Sequence, residues 1–188
     1  NQHIPEFTAI EWYRKDCDYR SLMEECEALI RSVAAAVGLG TRILFRDQEI
    51  DLTGPWERIT VKEAFKRYAQ TSLIEALKRE VFDDIMVKDI EPNLGMGKPT
   101  FIYDYPAVRA SLARLREDDP SVAERFELYV GGLELANGFS ELIDVEEQRK
   151  RFNEENQARC LMAKPVYSMP EKFLRELKDM PPSAGIAM

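Results

Sequence analysis

The stretch Arg125-Phe-Glu-Leu-Tyr-Val-Gly-Gly-Leu-Glu-Leu-Ala-Asn-Gly-Phe-Ser-Glu-Leu142 constrains the fold more than any other part of the chain. Two glycines between two alternating runs are a strong signal for a two-residue hairpin turn. With Gly131 and Gly132 at the turn, Val130 is expected opposite Leu133, Tyr129 opposite Glu134, Leu128 opposite Leu135 and Glu127 opposite Ala136. Because side chains alternate along a strand, Phe126, Leu128, Val130, Leu133 and Leu135 would then form the core face. The other face would carry Glu127, Tyr129, Glu134 and Ala136. Glu127 and Glu134 would form a diagonal pair, ~7–8 Å apart at the backbone. Two readings of that pair are open. It is either a solvated outer face or a hard-cation site, since close carboxylates repel unless a cation or a proton intervenes. Asn137 and Glu141 follow directly and add an amide and a third carboxylate.

The rest of the chain supplies a mixture of elements. Residues 6–13 are rich in β-formers and read as a strand. Leu22, Cys26, Leu29, Ile30, Val33 and Val37 share one helical stripe, closed by Gly38, which predicts a helix over about 21–37. Residues 42–52 read as a short hairpin around Asp47-Gln48. Thr60 and Glu63 form a capping box that opens a helix to about Ala69, and a short helix follows over 72–81. Residues 88–100, with Pro92, Gly95, Gly97 and Pro99, read as a loop, and Thr100–Tyr105 as an aromatic strand. The segment after Pro106 is either helix or irregular. Asp144 caps a helix to about Leu161, and Pro170 opens a last one to about Lys178. Strands outnumber the crossovers of a parallel sheet, so the expected class is α+β with an antiparallel sheet.

Composition limits the possible functions. The 188 residues suit one domain with a real core. No apolar run is long enough to span a membrane, and no signal peptide is evident. Cys17, Cys26 and Cys160 are odd in number and lack CxxC spacing, which points to a reducing, cytoplasmic setting rather than a zinc site or disulfides. A net charge of −8 leaves no basic surface for a nucleic acid within these residues. Asn1 at the start and the apolar run Ala184–Met188 at the end are expected to belong to a longer protein.

Three blocks in order carry a family resemblance. Glu134–Leu142, with Arg125-Phe-Glu127 before it, closely resembles the strand motif of class II lysyl-tRNA synthetases. Pro5-Glu-Phe-Thr-Ala-Ile-Glu-Trp-Tyr13 looks like the second strand of their motif 2, and Pro181-Pro-Ser-Ala-Gly185 like the entry to motif 3. The resemblance covers nearly the whole chain. It implies that residues 1–188 are part of a class II synthetase catalytic core, from the second half of motif 2 to the start of motif 3. ATP and Mg²⁺ are the implied cofactors. His3 would lie near the ATP phosphates and Phe7 against the adenine, and Glu127 and Glu134 would hold the Mg²⁺. Glu11, Tyr13, Ala136, Asn137, Phe139 and Glu141 would line the amino-acid pocket. Carboxylates there suit a substrate that ends in an ammonium.

The segment Glu91–Ala107, followed by Ser111-Leu-Ala113, and an alanine at position 136 resemble the short paralogue that lysylates elongation factor P. By that resemblance the substrate would be (R)-β-lysine or lysine, the acceptor a lysine of elongation factor P, and the parent protein a homodimer. A lysyl-tRNA synthetase charging tRNA(Lys) and a non-catalytic synthetase-like module are the alternatives. The arginines that grip ATP in motifs 2 and 3 would lie outside these residues, so the isolated chain is expected to be inactive.

Overall fold

Both glycines of the central turn have positive φ, 58° at Gly131 and 72° at Gly132, as a two-residue turn matched to the strand twist demands. They join β6 (Val122–Val130) to β7 (Leu133–Ser140), so the hairpin forms where the sequence places it. A computed structural model describes residues 6, 8–45 and 47–188. Around the hairpin it builds a six-stranded sheet in the order β1-β8-β7-β6-β5-β4. The remaining strands of this sheet are β1 (Glu11–Lys15), β4 (Glu57–Thr60), β5 (Thr100–Pro106) and β8 (Ser183–Ala187). All neighbours are antiparallel except β4 and β5. The expected α+β class with a mostly antiparallel sheet is what forms.

The register corrects the expected facing. Val130 meets Leu133 and Tyr129 meets Glu134, but a bulge follows, so Leu128 meets Ala136 and Glu127 meets Asn137. Leu135 is the extra residue and is partly exposed rather than in the core. The physical reason is that a bulge sets two residues against one, which simple alternation cannot register.

Each sheet face has its own cover. Phe126, Leu128, Phe101, Ala136, Ala184 and Ile186 point to the first face, where they pack against Leu22, Met23 and Cys26 of α1 (Tyr19–Ala36). Asp18 starts α1 by accepting from the Ser21 amide at 2.9 Å. The far end of its expected apolar stripe is uncovered, with Val33 and Val37 exposed. The small hairpin of β2 (Arg42–Phe45) and β3 (Gln48–Asp51) closes this layer through Ile50 and the following Leu52.

Part of the second face is covered by α2 (Val61–Tyr68), α3 (Leu73–Lys78) and α4 (Phe82–Ile85), which pack on Ile59, Ile102, Tyr105 and Tyr129. The capping box is present in both directions. The Glu63 amide donates to Thr60 Oγ1 at 3.1 Å, and the Thr60 amide donates to Glu63 Oε2 at 3.0 Å. These helices lie over the β4–β6 end, leaving the second face open above β1, β8 and β7. The site lies there.

Other expectations shift. The first strand starts at Glu11 rather than at residue 6 and runs to Lys15. β4 was not legible, because four residues paired in parallel to a strand 43 positions on leave no local pattern. The expected loop at 88–100 begins instead as a π-helical turn, Met86–Ile90, followed by a 3-10 turn over Glu91–Asn93. After β5 comes a single 3-10 turn, Ala107–Arg109. Two helices, α5 (Val145–Leu161) and α6 (Glu171–Leu177), match the expected ranges closely. Among the described residues no helix is long and apolar enough to cross a membrane.

Candidate active site

Two rows of side chains cross the open part of the second face. In one, Tyr13 pairs with Gly185, Gly185 with Phe139 and Phe139 with Arg125. In the other, Glu11 pairs with Ala187, Ala187 with Asn137 and Asn137 with Glu127. Each row spans three strand spacings, ~14 Å. The middle strand contributes the small residues, Gly185 and Ala187, so the rows enclose a hollow of about 250 Å³. Ser111 and Glu141 complete its wall.

Gly185 is required by what stands over it. A Cβ at this position would lie 2.6 Å from Glu141 Oε1 and 2.6 Å from Tyr13 Cε1. The glycine lets a carboxylate and a phenol close over the strand from opposite sides. Burial raises the Glu141 carboxyl to about 7. Burial, and then the carboxylates of Glu141 and Glu11, raises Tyr13 as well. This end of the hollow therefore holds a desolvated carboxyl group beside the Glu11 side chain, and a cation placed there would favour its ionised form.

Glu127 and Glu134 differ in their surroundings. Glu127 is buried and well partnered. Its Oε1 accepts from Arg125 Nη2 at 2.7 Å and from Asn137 Nδ2 at 3.4 Å, and its Oε2 accepts from the Tyr129 hydroxyl at 3.0 Å. Glu134 has no ion-pair partner among the described residues. Burial, and then the charge of Glu127, raises it to about 7, with Arg125 acting in the opposite sense. The two carboxylates thus face the same side, as expected, and Glu134 is the one without an ion pair, supported by a hydrogen bond with Asn137. Among the described residues no three His, Cys, Asp or Glu side chains converge as a protein-only metal cage. Two carboxylates with free lone pairs still fit a hard cation that takes its other ligands from water or phosphate.

Arg125 is held on three sides. Besides Glu127 it donates from Nη1 to Arg109 O at 3.0 Å, and its guanidinium stacks 4.6 Å from the Tyr105 ring centre. Behind it Glu91, the first residue of the 3-10 turn that follows the π-helical turn, lines a smaller cavity of about 110 Å³ with Tyr105 and Glu127. Burial, and then Glu127, raises the Glu91 carboxyl.

Of the residues singled out from sequence, Glu11, Tyr13, Asn137, Phe139 and Glu141 meet around the hollow, with Glu127 and Glu134 beside it. His3 and Phe7 lie outside the described residues. Ala136 is corrected. It is buried on the first face against Phe126 and Leu128, because the bulge at Leu135 turns it away from Glu127. Arg125, Ser111, Gly185 and Ala187 were not assigned to the site. Alternation with Glu127 could have revealed Arg125, whereas nothing periodic marks Ser111.

Comparison with known proteins fits this geometry. The family described as tRNA synthetases class II (D, K and N) matches residues 1–188, the whole chain. The chain belongs to this family. Its similar relatives among curated proteins include three named elongation factor P–(R)-β-lysine ligase. That of Hamiltonella defensa subsp. Acyrthosiphon pisum (strain 5AT) is 38% identical over 193 residues, and that of Proteus mirabilis (strain HI4320) 39% over 192. That of Photorhabdus laumondii subsp. laumondii is 38% identical over 192 residues. Each alignment covers 99% of this chain and 59% of the relative, so this class II synthetase chain spans about three fifths of their length.

Proposed function

We propose that the protein carrying this chain activates (R)-β-lysine or lysine with ATP and transfers it to a lysine of elongation factor P. The observation that carries this reading is the hollow over Gly185, where the carboxyl groups of Glu11 and Glu141 and the neutral Tyr13 phenol surround a space for an amino acid. An ammonium arriving beside Glu141 would displace the proton that burial favours on that carboxyl. Asn137 offers an amide at the other side of the hollow and Phe139 an apolar wall. The names of the relatives support the lysine-type substrate and the acceptor.

The chemistry needs no covalent bond to the protein. A substrate carboxylate oxygen attacks the α-phosphorus, the bond to pyrophosphate breaks, and an acceptor amine later displaces AMP from the mixed anhydride to leave an amide. The chain's part is alignment and charge placement. Glu127, locked by Arg125 and Tyr129, and Glu134, which forms no ion pair among the described residues, would hold Mg²⁺, which would neutralise phosphate charge. His3 beside the phosphates and Phe7 against the adenine belong to the same proposal, as do a homodimer and a cytoplasmic location.

The test is exchange of labelled pyrophosphate into ATP, driven by each lysine isomer, followed by transfer to either elongation factor P or tRNA(Lys). Exchange driven by neither isomer overturns the substrate reading. Labelling of tRNA(Lys) but not of elongation factor P would instead establish a lysyl-tRNA synthetase.

A further inference from the structure

The segment between β5 and β6 reaches the hollow at Ser111. Ser111 sits there with φ of 53°, a left-handed backbone that a residue with a Cβ adopts only when its surroundings impose it. The surroundings are explicit. Arg151 of α5 donates from Nη1 to Ser111 O and to Ala113 O, each at 2.9 Å. The Leu142 amide donates to Leu112 O at 3.1 Å, and the Arg114 amide to Ser140 O at 2.8 Å. Ala113 forms a β-bridge with Glu141, so the turn is stitched to the backbone that carries that carboxylate. Arg151 is itself fixed by Glu147 at 2.9 Å, one helical turn away.

Glycine would make the same turn without strain. The chain instead presents a hydroxyl, on a turn held rigid against Glu141, at the edge of a hollow whose other polar groups are mostly charged. The division of labour follows from the physics. Coulomb attraction falls slowly with distance, so Glu11 and Glu141 draw in any ammonium without fixing where it sits. A hydroxyl hydrogen bond needs a heavy-atom distance of about 2.5–3.2 Å and good alignment, so it discriminates between positions of the same group.

We propose that Ser111 is a specificity-determining residue, its hydroxyl reading the position of an amino group on a diamino-acid substrate, with Arg151 as its positioning residue. The inference rests on the amino-acid-activating function proposed above.

The test is calorimetric binding of (R)-β-lysine and L-lysine to the protein carrying this chain, together with thermal melting. In Ser111→Ala the affinity for the preferred isomer is expected to fall about 10–100-fold, the loss for one hydrogen bond to a charged group, and that for the other isomer to fall less. Tm should stay unchanged. Ser111→Gly should show the same loss of affinity with a raised Tm, because strain is removed, an outcome that a purely structural role would not give. Arg151→Gln should narrow the difference between the isomers. Equal losses for both isomers, or unchanged affinities, overturn the inference while leaving the proposed function standing. A fall in Tm for Ser111→Gly also overturns it. A wild-type protein that binds neither isomer removes the proposed function, and this inference with it.

Discussion

Replacing Gly185 with alanine should separate folding from function. Gly185 lies in β8 without a left-handed φ, so alanine fits the backbone and loses less chain entropy, worth roughly 0.5–1 kcal/mol in favour of the folded state. The new methyl would lie 2.6 Å from Glu141 Oε1, and 2.6 and 2.8 Å from Tyr13 Cε1 and Cδ1. Ordinary contact is about 3.5 Å or more, so both side chains must withdraw by roughly 1 Å. Both are free ends rather than backbone, and Tyr13 is 62% exposed, so they can swing aside at little cost to stability. A displacement of that size in groups that position a substrate costs on the order of 10²-fold in rate. Thermal melting of Gly185→Ala should therefore match or exceed wild type, while lysine-driven pyrophosphate exchange falls by on the order of 10²-fold. Full exchange with an intact Tm would mean that Glu141 and Tyr13 do not touch the substrate. A collapse of Tm would mean that they are packing groups.

Other outcomes follow from the same geometry. Glu134 and Glu141 are raised from 4.5 to about 7, so the folded state holds extra protons between those values and their contribution to stability declines as pH rises through that window. The double variant Glu134→Gln, Glu141→Gln should flatten this part of a Tm-versus-pH curve relative to wild type, and an unchanged slope would refute the assignment. Lysine binding should strengthen over the same window, because an ionised Glu141 is the better ammonium partner; calorimetry at pH 5.5 and 8 would show it. Glu127→Ala leaves Arg125 without its partner in a largely buried position and should cost about 3–5 kcal/mol in urea unfolding. Glu127→Gln, whose amide oxygen still accepts from Arg125 while its NH2 donates to the Tyr129 hydroxyl, should cost less. Thr60→Ala removes the helix cap far from the hollow and should cost about 1 kcal/mol with exchange activity unchanged.

What the sequence disclosed depended on how local the cause was. The Gly131-Gly132 turn, the Thr60–Glu63 box and the Asp144 cap are set by residues within a few positions of one another, and each forms as read. Glu11 and Tyr13, with Asn137 and Glu141, were identified as one site because family resemblance supplied what periodicity could not. The register beyond Tyr129 was misread because nothing in Glu-Leu-Ala-Asn announces a bulge, and Ala136 was placed on the wrong face in consequence. β4 and the seating of β8 between β1 and β7 depend on partners far along the chain. Ser111 escaped notice for a related reason. Its conformation is imposed by Arg151, 40 residues away.

The bulge at Leu135 also bears on how such chains should be aligned. Glu134 and Asn137 are three residues apart, an odd separation that would put them on opposite faces of a regular strand. Against β6 they stand only two rungs apart, opposite Tyr129 and Glu127, and so face the same way. Distance within this motif is therefore counted in ladder steps rather than in letters. A related chain lacking the residue at 135 could keep the same carboxylate and amide geometry. A one-residue gap placed there by an alignment would mark a conserved site, whereas the same gap one strand away would invert every side chain beyond it.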